Sequence, residues 1–314
     1  MPGERMFRHI LVPLDGSRLA ESALTTAVWL ARKANTQVTL LHVIEKNAPS
    51  EIHSDRHLVT PKEASIYLQE LSRLPALSGL RVETHVHTAE VGDVARSITE
   101  HSAEMAPDLV VMCTHGKGGA RRLLFGDIAQ QVISLGKTPV MMVRPSKETQ
   151  IIGVGGDFRT ILAPINGDPG HEKGLPMATE IAQAFHCRLH LLMVVPKLRD
   201  LTGSKAATSL ILPGATRFNL EMESDGARAY LDQRAAELNR EGVLADYETA
   251  RGDPARAIIG SARRLSADLV VMGTHGRAGA DAFWAGSVAA RVVARVRAPL
   301  MLVPLGKSDE QRDR

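Results

Sequence analysis

The chain repeats itself, and this repeat limits its possible folds more than any other feature of the sequence. Residues 108–116 read DLVVMCTHG, and nearly the same nine residues return at 268–276, 160 positions later. Near the start of each half, ILVPLDG at 10–16 matches ILAPING at 161–167, an offset of 151. Three single residues also return at the offset of 160: Gly92, Gly126 and Pro139. Matches this long and in the same order indicate a duplication, so we expect two similar domains in tandem.

The difference between the two offsets indicates extra residues in the second half. Nine residues have been gained between the two sets of matches, and we expect them near 197–220. A chain of 314 residues suits two domains of ordinary size. We assign the first domain to residues 1–145, a linker to 146–158, the second domain to 159–305 and a charged tail, expected to be disordered, to 306–314.

Aliphatic runs alternate with helical segments in both halves. In the first half we predict strands at 8–14, 37–44, 80–87, 108–113 and 139–143, and helices at 18–33, 61–74, 94–105 and 127–135. In the second half we predict strands at 159–165, 187–195, 243–250, 268–273 and 299–303. The segments 45–60 and 197–220, which differ most between the halves, are predicted to be loops. Alternation with short connections favours right-handed parallel crossovers, so the predicted fold class is α/β, with two tandem five-stranded parallel sheets.

Charge and cysteine content argue against several classes of function. The 38 basic and 35 acidic residues are interspersed, so no nucleic-acid partner is predicted. The two cysteines, Cys113 and Cys187, are too few for a disulfide framework or a metal cluster and suit a reducing compartment. No apolar run approaches the roughly 18 residues that span a membrane, and the N-terminus lacks the apolar core of a signal peptide. We therefore expect a cytoplasmic protein without a membrane partner.

A glycine-spaced loop follows the fourth predicted strand of the second half. Gly273 and Gly276 let the backbone approach a ligand closely, and Gly286 allows consecutive N–H groups to point the same way. Ser287 adds a hydroxyl group at a predicted helix N-terminus. Ligands of open α/β sheets bind beyond the carboxyl ends of the strands. The loop is therefore predicted to bind an anion such as phosphate.

The spacing of these residues, G-x2-G-x9-G-[S/T], resembles the ATP-binding signature of the universal stress protein family. The segments ILVPLDGS, VVMCTHG and VVMGTHG are also similar to that family, and the resemblance covers essentially the whole chain as two copies. It implies a Rossmann-like, adenine nucleotide alpha hydrolase-like fold for each domain, and ATP, with or without Mg2+, as the ligand. It also implies pairing through the last strand of each domain, so we expect an internal pseudo-dimer of the two domains and a homodimer beyond it.

The resemblance carries a set of ATP-binding positions onto each half. In the second domain these are Pro164, Asn166, Val194, Met272, Gly273, His275, Gly276, Arg277, Gly286, Ser287 and Val288. In the first domain they are Pro13, Asp15, Val43, Met112, Cys113, His115, Gly116, Lys117, Gly126, Asp127 and Ile128. The resemblance places adenine near the second strand and the phosphates on the glycine loop. No residue is assigned a catalytic or metal-binding role.

Both halves depart from the family pattern. The first has Cys113 for the first glycine and Asp127 for the hydroxyl residue. A carboxylate at a helix N-terminus repels phosphate, although Arg121 and Arg122 in the same loop could offset it, and Asp127 also suits a plain helix cap. The second half keeps every glycine and the hydroxyl, and has Asn166 for Asp, a milder change because Asn still forms hydrogen bonds. We therefore predict that the second half is the better nucleotide site.

Binding without rapid turnover is expected, because the chain lacks a G-x4-G-K-[ST] loop and the signatures of protein kinases. The leading hypothesis is an ATP-binding stress-response regulator whose nucleotide occupancy changes conformation or partner binding. One alternative is a slow ATPase or phosphate-transfer enzyme, with His275 or Asp15 near the γ-phosphate. Another is a nucleotide-free interaction scaffold, which the altered loop of the first half favours.

Several reactive residues also have ordinary interpretations. Cys113 is more simply a core residue than a redox sensor. Asp93 and Asp253, each after a repeated glycine, are predicted to cap helices rather than to contact a ligand. His115 and His275 either contact phosphate or hydrogen-bond to loop backbone. Five histidines lack the partnered spacing of a metal site and are predicted to be structural or on the surface: His42, His53, His57, His85 and His87.

Overall fold

The structure is a computed structural model that describes residues 7–52, 55–114, 127–145, 158–168, 172–201, 203–274 and 287–304. The chain divides into two compact units, one built mainly from residues before 157 and the other mainly from those after 156. Within each unit, five parallel strands alternate with helices, so the predicted α/β class is confirmed.

Unit 1 contains seven strands among its described residues: β1 (His9–Pro13), β2 (Gln37–Glu45), β3 (Glu51–Ile52), β4 (Asp55–Arg56), β5 (Val82–Val91), β6 (Leu109–Cys113) and β7 (Val140–Val143). Five of them form a parallel sheet in the order β7-β6-β1-β2-β5. Ile10, Leu11 and Val12 of β1 are fully buried, as expected of a strand covered on both faces. β3 and β4 pair as an antiparallel hairpin within the segment predicted to be a loop.

Four described helices connect these strands: α1 (Arg18–Ala34), α2 (Pro61–Ser72), α3 (Val94–Met105) and α4 (Asp127–Leu135), with a short 3-10 turn at Pro75–Leu77. The first three begin with a side-chain cap on a backbone N–H, provided by Ser17, Thr60 and Asp93. These caps satisfy N–H groups that have no partner inside the helix. The capping role predicted for Asp93 is confirmed.

Unit 2 repeats the sheet of unit 1. Its strands are β8 (Thr160–Pro164), β9 (Arg188–Val195), β10 (Ala245–Arg251), β11 (Leu269–Thr274) and β12 (Leu300–Pro304). They lie in the order β10-β9-β8-β11-β12, which matches unit 1 strand for strand. In each unit the first strand lies between the second and the fourth. This reversal of strand order is the switch point of a doubly wound sheet.

The described helices of unit 2 are α5 (Gly174–Phe185), α6 (Gly203–Ile211), α7 (Pro213–Arg240), α8 (Pro254–Arg264) and α9 (Val288–Val293), with a 3-10 turn at Leu198–Asp200. The prediction of a loop at 197–220 is wrong, because most of this segment is helical. The segment is rich in Ala and Leu, which favour helices, and Pro213 suits the first helical turn. Asp253 caps α8, as predicted.

One aspartate joins the fourth strand to the first strand in both units. The Oδ2 atom of Asp108 accepts hydrogen bonds from the backbone N–H groups of Arg8 and His9, at 2.7 and 2.9 Å. Asp268 does the same for residues 159–160, at 2.8 and 3.0 Å. The repeated contact sets the register between the two strands whose carboxyl ends carry the predicted sites.

Candidate functional site

The carboxyl ends of the first and fourth strands meet at the switch point of each sheet. In unit 1, β1 ends at Pro13 and the chain continues through Leu14 to Asp15, while β6 ends at Cys113. The two strands are paired neighbours, with Ile10 opposite Leu109 in the ladder. Their ends therefore border a single cleft, as is typical of open α/β sheets.

This cleft of unit 1 brings together residues predicted from β1, β2, β6 and α4. Six of the predicted positions line it: Pro13, Asp15, Val43, Met112, Cys113 and Ile128. The cleft is open to solvent at its mouth. The other predicted residues lie outside the described part of the chain: His115, Gly116, Lys117, Arg121, Arg122 and Gly126. The backbone of Asp127 is described, but its side chain is not.

The β3–β4 hairpin, which we did not predict, also borders the cleft. Ile52 and His57 are among the lining residues. Leu58 packs so closely that a Cβ atom on Gly16 would lie 2.8 Å from its Cγ. Gly16 also has a φ of +90°, which side-chain-bearing residues rarely adopt. The glycine after β1 therefore allows the chain that follows the hairpin to lie directly over the strand end.

Carboxylates of unit 1 accept the N–H groups at the start of α1. The Oδ1 atom of Asp15 accepts from the backbone N–H of Ser17 at 2.9 Å and from its hydroxyl at 2.6 Å. The Oδ2 atom of Asp55 in β4 accepts from the backbone N–H of Arg18 at 2.9 Å. Two negative charges thus lie near the positive end of α1, where they are stabilised by the helix dipole.

Two buried histidines lie beside the cleft. The Nδ1 atom of His42 is 2.7 Å from the carbonyl oxygen of Leu14, and its Nε2 atom is 3.3 Å from that of Leu58. A neutral imidazole donates from one nitrogen only, and burial lowers the pKa of His42 below its ordinary value of 6.5. His57 is 4% exposed, and its Nδ1 atom has no hydrogen-bond partner in the described part of the chain.

Cys113 lies at the end of β6 with its Sγ atom 3.0 Å from the hydroxyl oxygen of Ser22. Burial raises the pKa of the thiol to about 11. The thiolate is the reactive form, so a thiol that stays protonated at neutral pH is a poor redox sensor. The surroundings of Cys113 therefore favour the interpretation as a core residue.

In unit 2 the described site residues occupy the equivalent strand ends. Pro164 ends β8, Val194 lies in β9, and Met272 and Gly273 lie in β11. Beyond β8, the Oδ1 atom of Asn166 accepts from the backbone N–H of Asp168 at 3.1 Å. Ser287 caps α9 by accepting from the N–H of Ala290 at 3.1 Å, and Val288 is the first residue of that helix. His275, Gly276, Arg277 and Gly286 lie outside the described residues.

The end of β11 is tightly packed against α5. A Cβ atom on Gly174, the first residue of α5, would lie 2.9 Å from the carbonyl carbon of Met272 and from the nitrogen of Gly273. Atoms this close would force the backbone to shift. Gly174 therefore lets the first turn of α5 lie against the strand where the glycine loop begins. No spacing motif includes Gly174, so this residue is not predicted from the sequence.

The sequence profile of the Universal stress protein family matches the chain twice, over residues 6–144 and 157–304. The chain belongs to the universal stress protein family. Two relatives match nearly the whole chain, which identifies it as a tandem, two-domain member. A universal stress protein of Mycolicibacterium smegmatis is 26% identical over 309 residues, 94% of this chain and 96% of that protein. The universal stress protein E homolog of Haemophilus influenzae is 25% identical over 331 residues, covering 97% and 99%.

Solved structures show the same fold. A universal stress protein from Archaeoglobus fulgidus has a TM-score of 0.68 and 17% identity, covering 97% of this chain and 98% of that one. A functionally unknown protein from Pseudomonas aeruginosa PAO1 has a TM-score of 0.66, also at 17% identity, covering 97% and 95%. At 17% sequence identity, these comparisons show that the fold is the same and do not show a shared function. Within the described ranges, no helix is both long and apolar enough to cross a membrane.

This universal stress protein has the same tyrosine–glutamate pair in both units. The hydroxyl of Tyr230 in α7 donates to Glu172 at 2.7 Å, and that of Tyr67 in α2 donates to Glu21 at 3.1 Å. Burial, followed by the bond to Glu172, raises the pKa of Tyr230 to about 12. Glu172 also accepts from the backbone N–H of Gly167 at 2.8 Å. In unit 2 the pair therefore contacts the loop that follows β8.

Three histidines of this universal stress protein meet between β5 and α3. The Nδ1 atom of His87 is 2.9 Å from Nε2 of His101, and the ring centroids of His85 and His101 are 4.7 Å apart. We did not predict this cluster, because the packing of α3 on β5 brings His101 to the strand. In the portion of the chain that the structure describes, no three or more His, Cys, Asp or Glu side chains are arranged to hold a metal ion.

Proposed function

We propose that this universal stress protein is an ATP-binding stress-response regulator, with unit 2 as its main nucleotide site. One observation carries the proposal. The complete G-x2-G-x9-G-S sequence starts at Gly273, at the end of β11, and ends at Ser287, the cap of α9. It therefore leaves the sheet at the switch point, where open α/β sheets bind their ligands.

The polar groups at this point suit a nucleotide. Asn166 follows β8, which pairs directly with β11, and its amide group both donates and accepts hydrogen bonds. The Oγ atom of Ser287 accepts a capping bond, and its hydroxyl hydrogen can donate to a phosphate oxygen. We propose that the other positions from the family resemblance complete the site: Pro164, Val194, Met272, His275, Gly276, Arg277, Gly286 and Val288.

The proposed ligand is ATP, with or without Mg2+, and its occupancy is proposed to tune conformation or partner binding. The absence of a P-loop lysine favours binding over rapid hydrolysis. Pairing of the two domains with each other, homodimerisation and a cytoplasmic location remain predictions from the sequence.

Nucleotide release and titration test the binding proposal. Purified protein is denatured in acid and its nucleotide content measured by chromatography, and ATP is titrated into nucleotide-free protein by calorimetry. We expect about one ATP per chain, and we expect Gly276→Asp to abolish binding, because a carboxylate in the loop repels phosphate. Gly260→Asp is the matched control, since Gly260 in α8 has nothing within 4 Å of its Cβ position. Wild-type protein that neither contains nor binds ATP would refute the proposal.

Hydrogen exchange with and without ATP separates a regulator from a passive scaffold. Binding that changes conformation alters amide protection beyond the site, whereas a nucleotide-free scaffold shows no change. Release of ADP with Mg2+, measured on the same samples, tests the slow ATPase alternative. Hydrolysis that persists in Gly276→Asp would indicate a contaminating enzyme rather than this pocket.

A further inference from the structure

We propose that helices α6 and α7 of unit 2 form a surface through which two copies of this chain associate. The proposal goes beyond the nucleotide site and does not depend on it. The surface lies in the segment where the second half has gained residues. In the described part of unit 1, the corresponding stretch between β2 and α2 forms the β3–β4 hairpin instead.

Exposed apolar side chains are concentrated in this segment. Nine large hydrophobic side chains are exposed among the described residues, and five of them lie within 13 residues of sequence: Leu210, Ile211, Leu212, Phe218 and Met222. Each of the five is between 55% and 86% exposed. Exposed apolar patches mark interaction sites on soluble proteins, whereas scattered single residues do not.

Helix α6 turns its polar side towards its own unit. The space between α6 and α7 is lined mainly by polar side chains, including Ser204, Thr208, Thr216 and Asn219. No side chain of α6 is buried, and Leu210 and Ile211 in its last turn are exposed. A surface helix of a globular protein ordinarily buries its apolar side. The reversed arrangement of α6 therefore suits a helix whose apolar side meets another molecule.

Helix α7 carries apolar residues on two opposite sides. Leu220 and Ala227 are buried against unit 2, whereas Phe218 and Met222 lie one turn apart on the exposed side. Gly226 follows Met222 by one further turn, and nothing lies within 4 Å of its Cβ position. Packing inside the unit thus does not require a glycine there, and the missing side chain leaves room for a second helix to approach.

The exposed area suits a symmetric pair of chains. Large apolar side chains expose on the order of 150–200 Å2 when fully accessible, so the five together leave on the order of 600 Å2 uncovered. Two such patches packed on each other would bury roughly 1,200 Å2, which reaches the lower end of the range for stable, specific interfaces.

The charges beside the patch favour a second copy turned through 180°. Arg217 and Asp225 are both exposed, and their midpoint along α7 lies within one residue, about 1.5 Å, of the midpoint of Phe218 and Met222. A two-fold axis at this point therefore places Phe218 of one copy on Met222 of the other and Arg217 beside Asp225. Antiparallel α7 helices satisfy both contacts at once.

The same charges argue against a membrane surface as the occupant. Amphipathic helices that lie on membranes carry lysine and arginine on their polar side. Around Met222, the exposed residues Glu221, Glu223 and Asp225 are acidic instead. Anionic lipid headgroups would be repelled there, whereas a second copy supplies Arg217 as a partner.

Sedimentation velocity of the full chain across about 1–100 µM protein tests the proposal. We expect a monomer–dimer equilibrium. Phe218→Glu with Met222→Glu should raise the dissociation constant of the dimer at least about tenfold, because it buries charge in an apolar contact. Val59→Glu with Ile66→Glu is the matched control, since both are exposed apolar residues of unit 1, and should leave the dimer unchanged.

Two results of this measurement would overturn the proposal. One is a dimer that persists unchanged when Phe218 and Met222 are replaced, which would place the contact elsewhere. The other is wild-type protein that stays monomeric. If that monomer sediments with phosphatidylglycerol vesicles, the surface binds lipid instead.

Exchange of the paired charges tests the antiparallel arrangement. Arg217→Glu should weaken the dimer about threefold or more, and Asp225→Arg added to it should restore the affinity, because each pair is then reversed. Glu221, between them on the same side, faces its own copy near the axis, so Glu221→Gln should tighten the dimer. A double variant no tighter than Arg217→Glu, or a weaker dimer in Glu221→Gln, would contradict the arrangement.

A cysteine crosslink locates the contact. Met222→Cys should join two chains through a short bismaleimide, because the two copies of this position lie close to the axis. Ala236→Cys is the control: Ala236 is exposed on the same side of α7, about 21 Å further along, and antiparallel helices carry its two copies apart. Wild-type protein measures the reaction of Cys113 and Cys187. Equal crosslinking of the two variants would overturn the proposed contact.

Discussion

At the scale of single residues, close backbone contacts and buried ring nitrogens have the clearest consequences. Gly174 is a glycine because the backbone of β11 occupies the space of a Cβ atom. His42 is buried between two carbonyl oxygens, of Leu14 and Leu58, and joins the end of β1 to the chain after β4. Neither role can be read from a spacing motif. Each follows from atoms that the fold brings together.

Gly174→Ala should destabilise unit 2 by about 1–3 kcal/mol, the usual cost of forcing extra atoms into a packed site. Its Cβ atom would lie 2.9 Å from two backbone atoms of Met272 and Gly273. Gly260→Ala in α8 is the matched control, with nothing within 4 Å, and should stabilise by about 0.5–1 kcal/mol because Ala favours the helix. Urea unfolding compares the two variants. Equal effects would show that the contact at Gly174 relaxes without cost.

The stability of unit 1 should fall as the pH drops below 6.5. Burial lowers the pKa of His42 from 6.5, so the unfolded chain takes up a proton at a pH where the folded protein resists it. Proton uptake on unfolding means that stability is fully present above 6.5 and is lost as the pH falls towards the lowered pKa. His57 and Asp15 are the titratable neighbours, with smaller and opposite effects on that pKa.

His42→Asn removes this titration while keeping an amide donor towards Leu14. Urea midpoints measured at pH 7.5 and 5.5 should therefore differ less in the variant than in the wild type. His186→Asn serves as a control, because His186 is exposed at the end of α5 in a left-handed conformation that Asn tolerates. A variant with the same pH dependence as the wild type would show that other groups cause the loss.

At the scale of elements, the duplicated tyrosine–glutamate pair ties neighbouring helices together. Tyr67 and Tyr230 lie on α2 and α7, and their partners Glu21 and Glu172 lie on or just before the helix that follows the first strand. The two pairs are separated by 46 and 58 residues in the sequence. Their recurrence shows that the duplicated elements pack in the same way in both units, although α7 is much longer than α2.

Tyr230→Phe should destabilise the protein by about 1–3 kcal/mol, because it removes a hydrogen bond from a buried carboxylate. Glu172 is only 6% exposed, so a water molecule cannot readily take the place of the lost hydroxyl group. Tyr247→Phe is the matched control: its hydroxyl bonds to Asp232 at 3.0 Å at an exposed position, and its loss should cost less than about 0.5 kcal/mol. Urea unfolding under identical conditions measures both. Similar losses would mean that Glu172 finds another partner.

At the scale of the whole molecule, one sequence duplication yields two sheets with the same strand order and different ends. Both units keep the aspartate that joins the first and fourth strands, Asp108 and Asp268. They differ in the residues at the carboxyl ends of the first and fourth strands, where unit 1 has Asp15 and Cys113 and unit 2 has Asn166 and Gly273. The residues that hold the strands together are thus the same in both units, whereas the residues at the candidate ligand sites differ.

ATP should protect unit 2 and leave unit 1 unchanged. At a free concentration of about 100 times Kd, ligand binding stabilises the folded state by about 2.7 kcal/mol. Hydrogen exchange measured by mass spectrometry should therefore slow in β8, in the following residues 165–168 and in β11. The corresponding segments of β1 and β6 should exchange at the same rate with and without ATP. Protection of β1 and β6 that persists in the Gly276→Asp protein would indicate a second ATP site, in unit 1.

The sequence by itself determined the duplication, the order of strands and helices and the place of the glycine loop. These properties depend on neighbours along the chain: aliphatic runs make strands, and Asp93 and Asp253 cap the helices that follow them. Two segments predicted to be loops were exceptions: 45–60 contains the β3–β4 hairpin, and 197–220 forms α6 and the start of α7. The helix-forming residues of 197–220 favoured α6 and α7.

Only the tertiary structure decided which distant residues meet at the strand ends. The hairpin that brings His57 to the cleft, the contact of Leu58 with Gly16 and the packing of Gly174 on β11 join parts of the chain that no local pattern relates. The physical reason is that side-chain contacts across a parallel sheet depend on how crossovers pack, whereas strand and helix formation depends mainly on periodicity and capping.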